Sequence, residues 1–139
     1  MISMLSERLK SNSCTCGKSK AFAKCCGQFL SGEKNAKTPE QLMRSRFSAY
    51  ALGGYGEYLL ATWFPASAQG LTIEELSRKT VDWQRLEVIS SSQEGDKGTV
   101  EFKAWFSGSP NSGELDCMHE VSEFIRIKSR WYYIGGLVS

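Results

Sequence analysis

The sequence predicts an α+β fold in which a short N-terminal cysteine module precedes helices packed on a curved antiparallel sheet. Two observations support this prediction. Four of the five cysteines fall within residues 14–26. From Thr38 onward, segments with helical periodicity come first and segments with strand-like alternation follow. Because consecutive strands joined by short polar turns pair with their neighbours, we expect the strands to form a meander.

Three helices are predicted at the start of the main domain. The first begins with Thr38 as its N-cap and Gln41 as the capping-box partner, and it ends at Gly53. Apolar residues recur at helical spacing along it, so one of its faces should pack in the core. The other two helices are predicted at residues 55–63 and 72–79.

Strands are predicted at residues 83–89, 99–106, 115–127 and 131–134. In the second strand, alternation separates an apolar face that contains Val100 from a polar face that contains Trp105. Trp105 is therefore the best candidate for an exposed partner-binding or dimer surface. In the third strand, alternation groups Cys117, His119 and Val121, and Cys117 is interpreted as a small buried residue.

Length and composition describe an ordinary globular chain. The 139 residues fit one domain with a small appendage, and the 41% hydrophobic and 23% charged residues are typical of that class. A net charge of +2 is too small to indicate nucleic-acid binding by itself. No apolar run reaches membrane-spanning length and residues 1–10 lack a signal-peptide core, so we expect a cytoplasmic protein without membrane attachment.

The segment CTCGKSKAFAKCC predicts a metal site built by Cys14, Cys16, Cys25 and Cys26. Four thiolates satisfy tetrahedral zinc when a turn brings the two pairs together. Such a site leaves no position for a reactive water, so one structural Zn²⁺ per chain is expected. Thiol redox chemistry and incidental cysteines are the alternatives, but redox motifs more usually space their cysteines as Cys-x-x-Cys.

The same segment resembles the SEC-C motif, whose usual form is CPCGSGKKYKKCC and which also occurs at the C-terminus of the SecA preprotein translocase motor. All four ligand positions match. Thr15 replaces the usual proline, and Lys18 and Ser19 replace a Ser-Gly pair. Five further segments resemble the bacterial YchJ family in order: MRSRFSAY, LLATW, GTVEFKAWF, HEVSEF and RWYYIGG.

The YchJ resemblance implies a cone-shaped α+β domain of the nuclear transport factor two type behind a zinc knuckle. It agrees with the helices-then-meander pattern and brings no established activity. We divide the chain into a zinc module with a flexible lead-in (1–28), a linker (29–37) and the cone-shaped domain (38–139).

Domains of this shape often enclose a pocket, and the sequence offers candidates to line it. His119 and Glu123 could form an acid/base pair at its mouth, although a core histidine is the simpler interpretation. Arg44, Arg46 and Tyr50 could bind an anion inside it, although a buried ion pair is the commoner role for such arginines. No catalytic residue is assigned, and the sequence favours a protein that is not an enzyme.

Three functions follow from these features. The first is a protein-interaction adaptor, in which Lys18, Lys20 and Lys24 around the zinc knuckle face an acidic protein surface, as the similar SecA module does with an export chaperone. The second is a small-molecule-binding or enzymatic cone domain with its pocket near His119, Glu123 and Arg46. The third is nucleic-acid binding through the basic knuckle. The oligomeric state is left open, with a dimer as one option.

Overall fold

The structure is a computed structural model that describes residues 13–108 and 113–138, so the lead-in predicted for residues 1–12 lies outside the described residues. The strands form one antiparallel sheet in the order β1-β2-β3-β4, which confirms the α+β fold and the meander. The helices are α1 (Cys26–Leu30), α2 (Pro39–Leu52), α3 (Gly56–Ala61) and α4 (Ile73–Ser77). The strands are β1 (Asp82–Glu94), β2 (Lys97–Ser107), β3 (Leu115–Ile127) and β4 (Arg130–Val138).

Helix α2 begins and ends where the sequence predicts. The Thr38 side chain accepts a hydrogen bond of 3.1 Å from the backbone N–H of Gln41, and Gly53 ends the helix with a φ of +76°. The Gln41 side chain accepts from the N–H of Lys37 at 2.8 Å, one residue before the position expected of a capping box. No helix of the described segments is both long and apolar enough to cross a membrane.

The inner face of the sheet packs against α2. On β2 this face is the predicted one, since Val100 and Phe102 are buried. On β3 the sequence predicted that the face with Cys117 would be the inner one. The structure shows the other face inside, because Ser122 and Phe124 are buried whereas Cys117 is exposed. The pairing register explains this correction: Val100 lies opposite Ser122, and directly opposed residues share a face of the sheet. Cys117 is therefore not the buried residue that the sequence suggested.

The turn between β3 and β4 consists of Lys128 and Ser129, with φ values of 50° and 70°. Two consecutive positive φ values in a two-residue hairpin are the mark of a type I′ turn, whose twist matches that of the flanking strands. Neither residue is a glycine or an asparagine, so the turn keeps some backbone strain.

The cysteine module packs directly on the main domain. Three of its cysteines belong to the same buried cluster as Leu42 and Phe47 of α2. Within residues 29–37, Ala36 is buried and the carbonyl of Lys37 accepts a hydrogen bond of 3.2 Å from Trp131 Nε1. Helix α1 also continues through residues 28 and 29, the position of the expected module boundary. The division into residues 1–28, 29–37 and 38–139 stays a prediction.

Candidate functional site

A tight loop presents the first two cysteines. The N–H of Cys14 donates to the carbonyl of Lys20 at 2.8 Å, and the N–H of Gly17 donates to the carbonyl of Cys14 at 3.1 Å. Gly17 has a φ of +96°, and a Cβ there would lie 3.3 Å from the carbonyl oxygen of Leu86. Glycine at this position therefore permits both the loop conformation and its close approach to the sheet.

A short 3-10 turn (Phe22–Lys24) followed by α1 presents the other two cysteines. The N–H of Cys25 donates to the carbonyl of Phe22 at 3.0 Å. Gly27 lies so close to Phe22 that a Cβ would be 2.7 Å from its carbonyl oxygen. This contact folds the second pair of cysteines back toward the first.

The four sulfur atoms converge. The Sγ atoms of Cys14, Cys16, Cys25 and Cys26 all lie within 4.8 Å of one another, and those of Cys16 and Cys25 are 3.6 Å apart. Tetrahedral coordination with bonds of about 2.3 Å would separate two sulfurs by about 3.8 Å, whereas a disulfide would join them at about 2.05 Å. All four are free thiols in a geometry that fits one metal ion.

The ionisation of these thiols depends on their crowding. Hydrogen bonds from Cys16 and Cys26 hold the pKa of Cys14 well below its usual range. Burial, followed by repulsion from Cys16, raises the pKa of Cys25 to about 12. The hydrogen bond to Cys14 raises the pKa of Cys26 as well. Cys25 and Cys26 therefore keep their protons until a cation replaces them.

Helix α2 anchors the cysteine loop through Arg44. Its Nη1 donates to the carbonyl of Cys16 at 2.8 Å, while its Nε donates to Glu40 Oε2 at 2.9 Å. On the same side of the helix, Ser48 Oγ lies 3.9 Å from Cys14 Sγ. The structure therefore corrects the placement of Arg44 in the pocket of the cone, because its side chain holds the cysteine loop in position.

A groove of about 270 Å³ runs beside the cysteine cluster. Its lining includes the half-buried Phe29 but no aspartate or glutamate. We call it the basic groove, and its lysines are Lys18, Lys20, Lys24, Lys34 and Lys37. The sequence pointed to the first three lysines. It missed the last two because they belong to the segment expected to be a linker, and only folding brings them to the cysteines.

A second cavity, of about 290 Å³, lies between α2 and the inner face of the sheet. It contains Arg46 and Tyr50, as the sequence suggested, but neither His119 nor Glu123. The expected acid/base pair is therefore corrected. Both residues lie on the outer face of β3, where His119 Nε2 is 2.7 Å from Glu101 Oε2 on the neighbouring strand.

Arg46 is the most deeply buried charged side chain of this cavity, with 5% of its surface exposed. Its Nη1 donates to the carbonyl of Leu59 at 2.8 Å and to Thr62 Oγ1 at 2.7 Å, at the C-terminal end of α3. The Cζ atom lies 4.6 Å from the ring centroids of both Trp63 and Tyr133, and these two rings contact each other edge to face with their centroids 5.4 Å apart. The guanidinium therefore packs against an aromatic pair. Burial lowers the pKa of Arg46.

Glu120 is a residue of this second cavity that the sequence did not reveal as a candidate. Its side chain lines the cavity and accepts hydrogen bonds from Ser122 Oγ and, at 3.3 Å, from Tyr133 Oη. Burial, followed by the charge of Glu120, raises the pKa of Tyr133. Glu120 pairs with Phe102 on β2, and the alternation along β2 predicts that Phe102 lies on the inner face. Knowing this pairing would have placed Glu120 on the inner face as well.

Comparisons with known proteins agree with this architecture. Residues 38–136 match the family model described as "YchJ, middle NTF2-like domain". A UPF0225 protein from Chromobacterium violaceum is 40% identical over 141 residues, covering 98% of this chain and 100% of that protein. A UPF0225 protein from Serratia proteamaculans is 41% identical over 128 residues, covering 88% of this chain and 81% of that protein.

Two solved structures are similar over most of the chain. A SEC-C motif containing protein from Rhodopseudomonas palustris, solved in solution, gives a TM-score of 0.79 at 35% identity, covering 90% of this chain and 97% of its own. A crystal structure of a SEC-C motif containing protein from Psychrobacter arcticus gives a TM-score of 0.77 at 29% identity, covering 95% of this chain and 85% of its own. The similarity therefore includes the cysteine module as well as the helices and the sheet.

Proposed function

The chain belongs to the YchJ family, and from that premise we propose that it is a zinc-dependent adaptor that binds an acidic segment of a protein partner in the basic groove. The observation that carries this proposal is the groove itself, in which five lysines and no carboxylate meet beside the four-cysteine cluster. The metal fixes the shape of the groove, and the lysines recognise the partner.

Zinc is the metal that this ligand set favours. Four thiolates at tetrahedral spacing are typical of structural zinc, and they leave no open coordination position for chemistry. The lining of the groove includes Cys25 and Cys26, so the sites of metal binding and partner binding share a wall. Without the metal, only weak hydrogen bonds among the sulfur atoms would hold that wall in one conformation.

The charge of the groove explains the choice of an acidic partner. Four thiolates and a divalent ion carry a formal charge of −2, which the five lysines exceed by three. No ion pair joins these lysines to a carboxylate within residues 13–108 and 113–138. A partner with several aspartates or glutamates would supply the missing negative charge.

Protein is favoured over RNA because the groove lacks a base-stacking platform. Single-stranded nucleic acids bind aromatic rings that stand free to stack on bases. The aromatic ring in the lining, Phe29, is instead packed against the buried cluster. An extended acidic peptide needs only cations and a shallow channel.

The test measures fluorescence anisotropy of a labelled peptide rich in aspartate and glutamate, added to the zinc-loaded full-length chain. The double variant Lys20→Glu and Lys24→Glu should weaken binding about tenfold or more, because it removes two attractive charges and adds two repulsive ones. The matched control is Lys97→Glu with Lys103→Glu, which changes the net charge equally but on strand β2, outside the groove.

Two outcomes would contradict the adaptor. Equal loss of binding in the groove variant and the control would mean that only the net charge matters. Tighter binding of a single-stranded RNA than of the peptide, lost in the groove variant, would assign the groove to nucleic acid instead.

A further inference from the structure

The cavity beneath α2 contains a buried positive charge that has no carboxylate within ion-pair distance, although Glu120 attracts it from farther away. Arg46 forms no ion pair with any acidic residue of the two described segments. Its Nη1 donates two hydrogen bonds, to the carbonyl oxygen of Leu59 and to the hydroxyl of Thr62, and both acceptors are uncharged. The attraction between the guanidinium and the adjoining Trp63 and Tyr133 rings offsets part of the free-energy cost of removing it from water. A buried guanidinium of this kind favours an anion that can pair with it.

The rest of the cavity is mostly apolar. Phe47, Phe102 and Met118 line its body, and the exposed Thr80 marks where it meets solvent. An apolar cavity of about 150 Å³ holds benzene, so the observed volume of about 290 Å³ has room for a ring or a short alkyl chain with a charged group. Inorganic phosphate or sulfate would leave this apolar surface without a partner.

Glu120 limits the charge of the ligand. Its carboxylate lines the same cavity, beyond the Tyr133 ring that stacks on Arg46. A Cβ at Gly136 would overlap this carboxylate, so the missing side chain at Gly136 makes room for it. A ligand with a second negative charge would meet Glu120, and one with a hydroxyl group could donate to it.

From these three features we infer that the cavity binds a small monocarboxylate with an aromatic or aliphatic body. The ligand's carboxylate pairs with the Arg46 guanidinium near the Tyr50 hydroxyl, and its apolar body contacts Phe47 and Phe102. This site is separate from the basic groove, and it requires no protein partner.

The probes are benzoate and hexanoate, titrated into the full-length zinc-loaded chain. Trp63 and Trp83 line the cavity, so their fluorescence reports binding, and calorimetry gives the affinity. Benzyl alcohol is the neutral control and terephthalate the doubly charged one. Benzoate should bind at least about tenfold more tightly than either control, since a charge-assisted pair with arginine contributes at least that factor.

Two substitutions identify the residues. Arg46→Met should abolish the preference for benzoate over benzyl alcohol. The matched control is Arg85→Met, because Arg85 also stacks on a tryptophan, with its Cζ 4.0 Å from the Trp105 ring, but on the outer face of the sheet. Met118→Trp should fill the cavity and remove binding of both benzoate and hexanoate, and circular dichroism checks that each variant is folded.

Several results would overturn the inference. These are no binding of either carboxylate at millimolar concentration, equal affinity for benzoate and benzyl alcohol, equal affinity for benzoate and terephthalate, or unchanged benzoate binding by folded Arg46→Met. Should Arg46→Met fail to fold, the comparison of the four probes on the unmodified chain still decides.

Discussion

Serine substitution of Cys25 and Cys26 together should remove the metal and destabilise the whole chain. These residues supply two of the four converging sulfurs. A hydroxyl is a far weaker zinc ligand than a thiolate, and the two remaining cysteines cannot complete a tetrahedral site. Because Cys26 belongs to the same buried cluster as Leu42 and Phe47, the effect should reach the packing of α2.

The size of the effect follows from linkage. Metal binding to the folded chain stabilises it by about 2.7 kcal/mol when free zinc is at about one hundred times its dissociation constant. For a chain of this length, each kcal/mol corresponds to roughly 3–5 °C in the unfolding temperature. The zinc-loaded chain should therefore melt about 10 °C above its chelator-treated form, and the double serine variant should melt near the latter.

The assay combines metal analysis with thermal unfolding followed by circular dichroism. The unmodified chain should contain about one zinc, and the double variant none. Cys117→Ser is the matched control, because this fifth cysteine is exposed on the outer face of β3 and should leave both measurements unchanged. One zinc per chain in the double variant would refute the structural role of the metal. So would an unfolding temperature of the unmodified chain that does not change when a chelator is added.

Three further predictions concern pH and backbone conformation. Because the pKa values of Cys25 and Cys26 are raised, the metal must displace their protons, so its apparent affinity should fall about tenfold for each proton released and each pH unit of acidification. Competition with a chromophoric chelator at two pH values measures this, and a flat profile would contradict it. Lys128→Asn with Ser129→Gly should stabilise the chain by about 1 kcal/mol, because these residues suit a type I′ turn; denaturant unfolding should show a higher midpoint. Gly17→Ala should cost about 1–2 kcal/mol and weaken metal retention, since alanine resists a φ of +96°; retention equal to that of the unmodified chain would contradict this.

The sequence predicts local chemistry better than long-range register. The cysteine cluster was predictable because all its ligands and turns lie in one short segment. On β3 the alternation misled, because residues of both kinds occur on both faces: Val121 is exposed, whereas Glu120 lines the cavity and Ser122 is buried. Only pairing with β2 decides which face is inner, and that pairing is set by residues far away in the chain.

The charged residues of both candidate sites were also hard to place from the sequence, because their neighbours come from distant parts of the chain. Arg46 could be singled out because it interrupts an apolar helix, but its aromatic partners Trp63 and Tyr133 come from distant segments. The basic groove needed Lys34 and Lys37 to fold back beside the cysteines. Neither the aromatic contacts of Arg46 nor the lysines of the basic groove produce a periodic pattern in the sequence, because each set combines residues from separate elements.

Helix α2 connects the two candidate sites. Residues four apart lie on one side of a helix and residues two apart lie on nearly opposite sides. Arg44 and Ser48 therefore face the cysteine cluster, while Arg46 and Tyr50 face the cavity. The contacts that fix one side of α2 to the cysteine cluster also limit how far its other side can move. Metal binding is therefore expected to support the cavity wall mechanically, although no ligand of the metal lines that cavity.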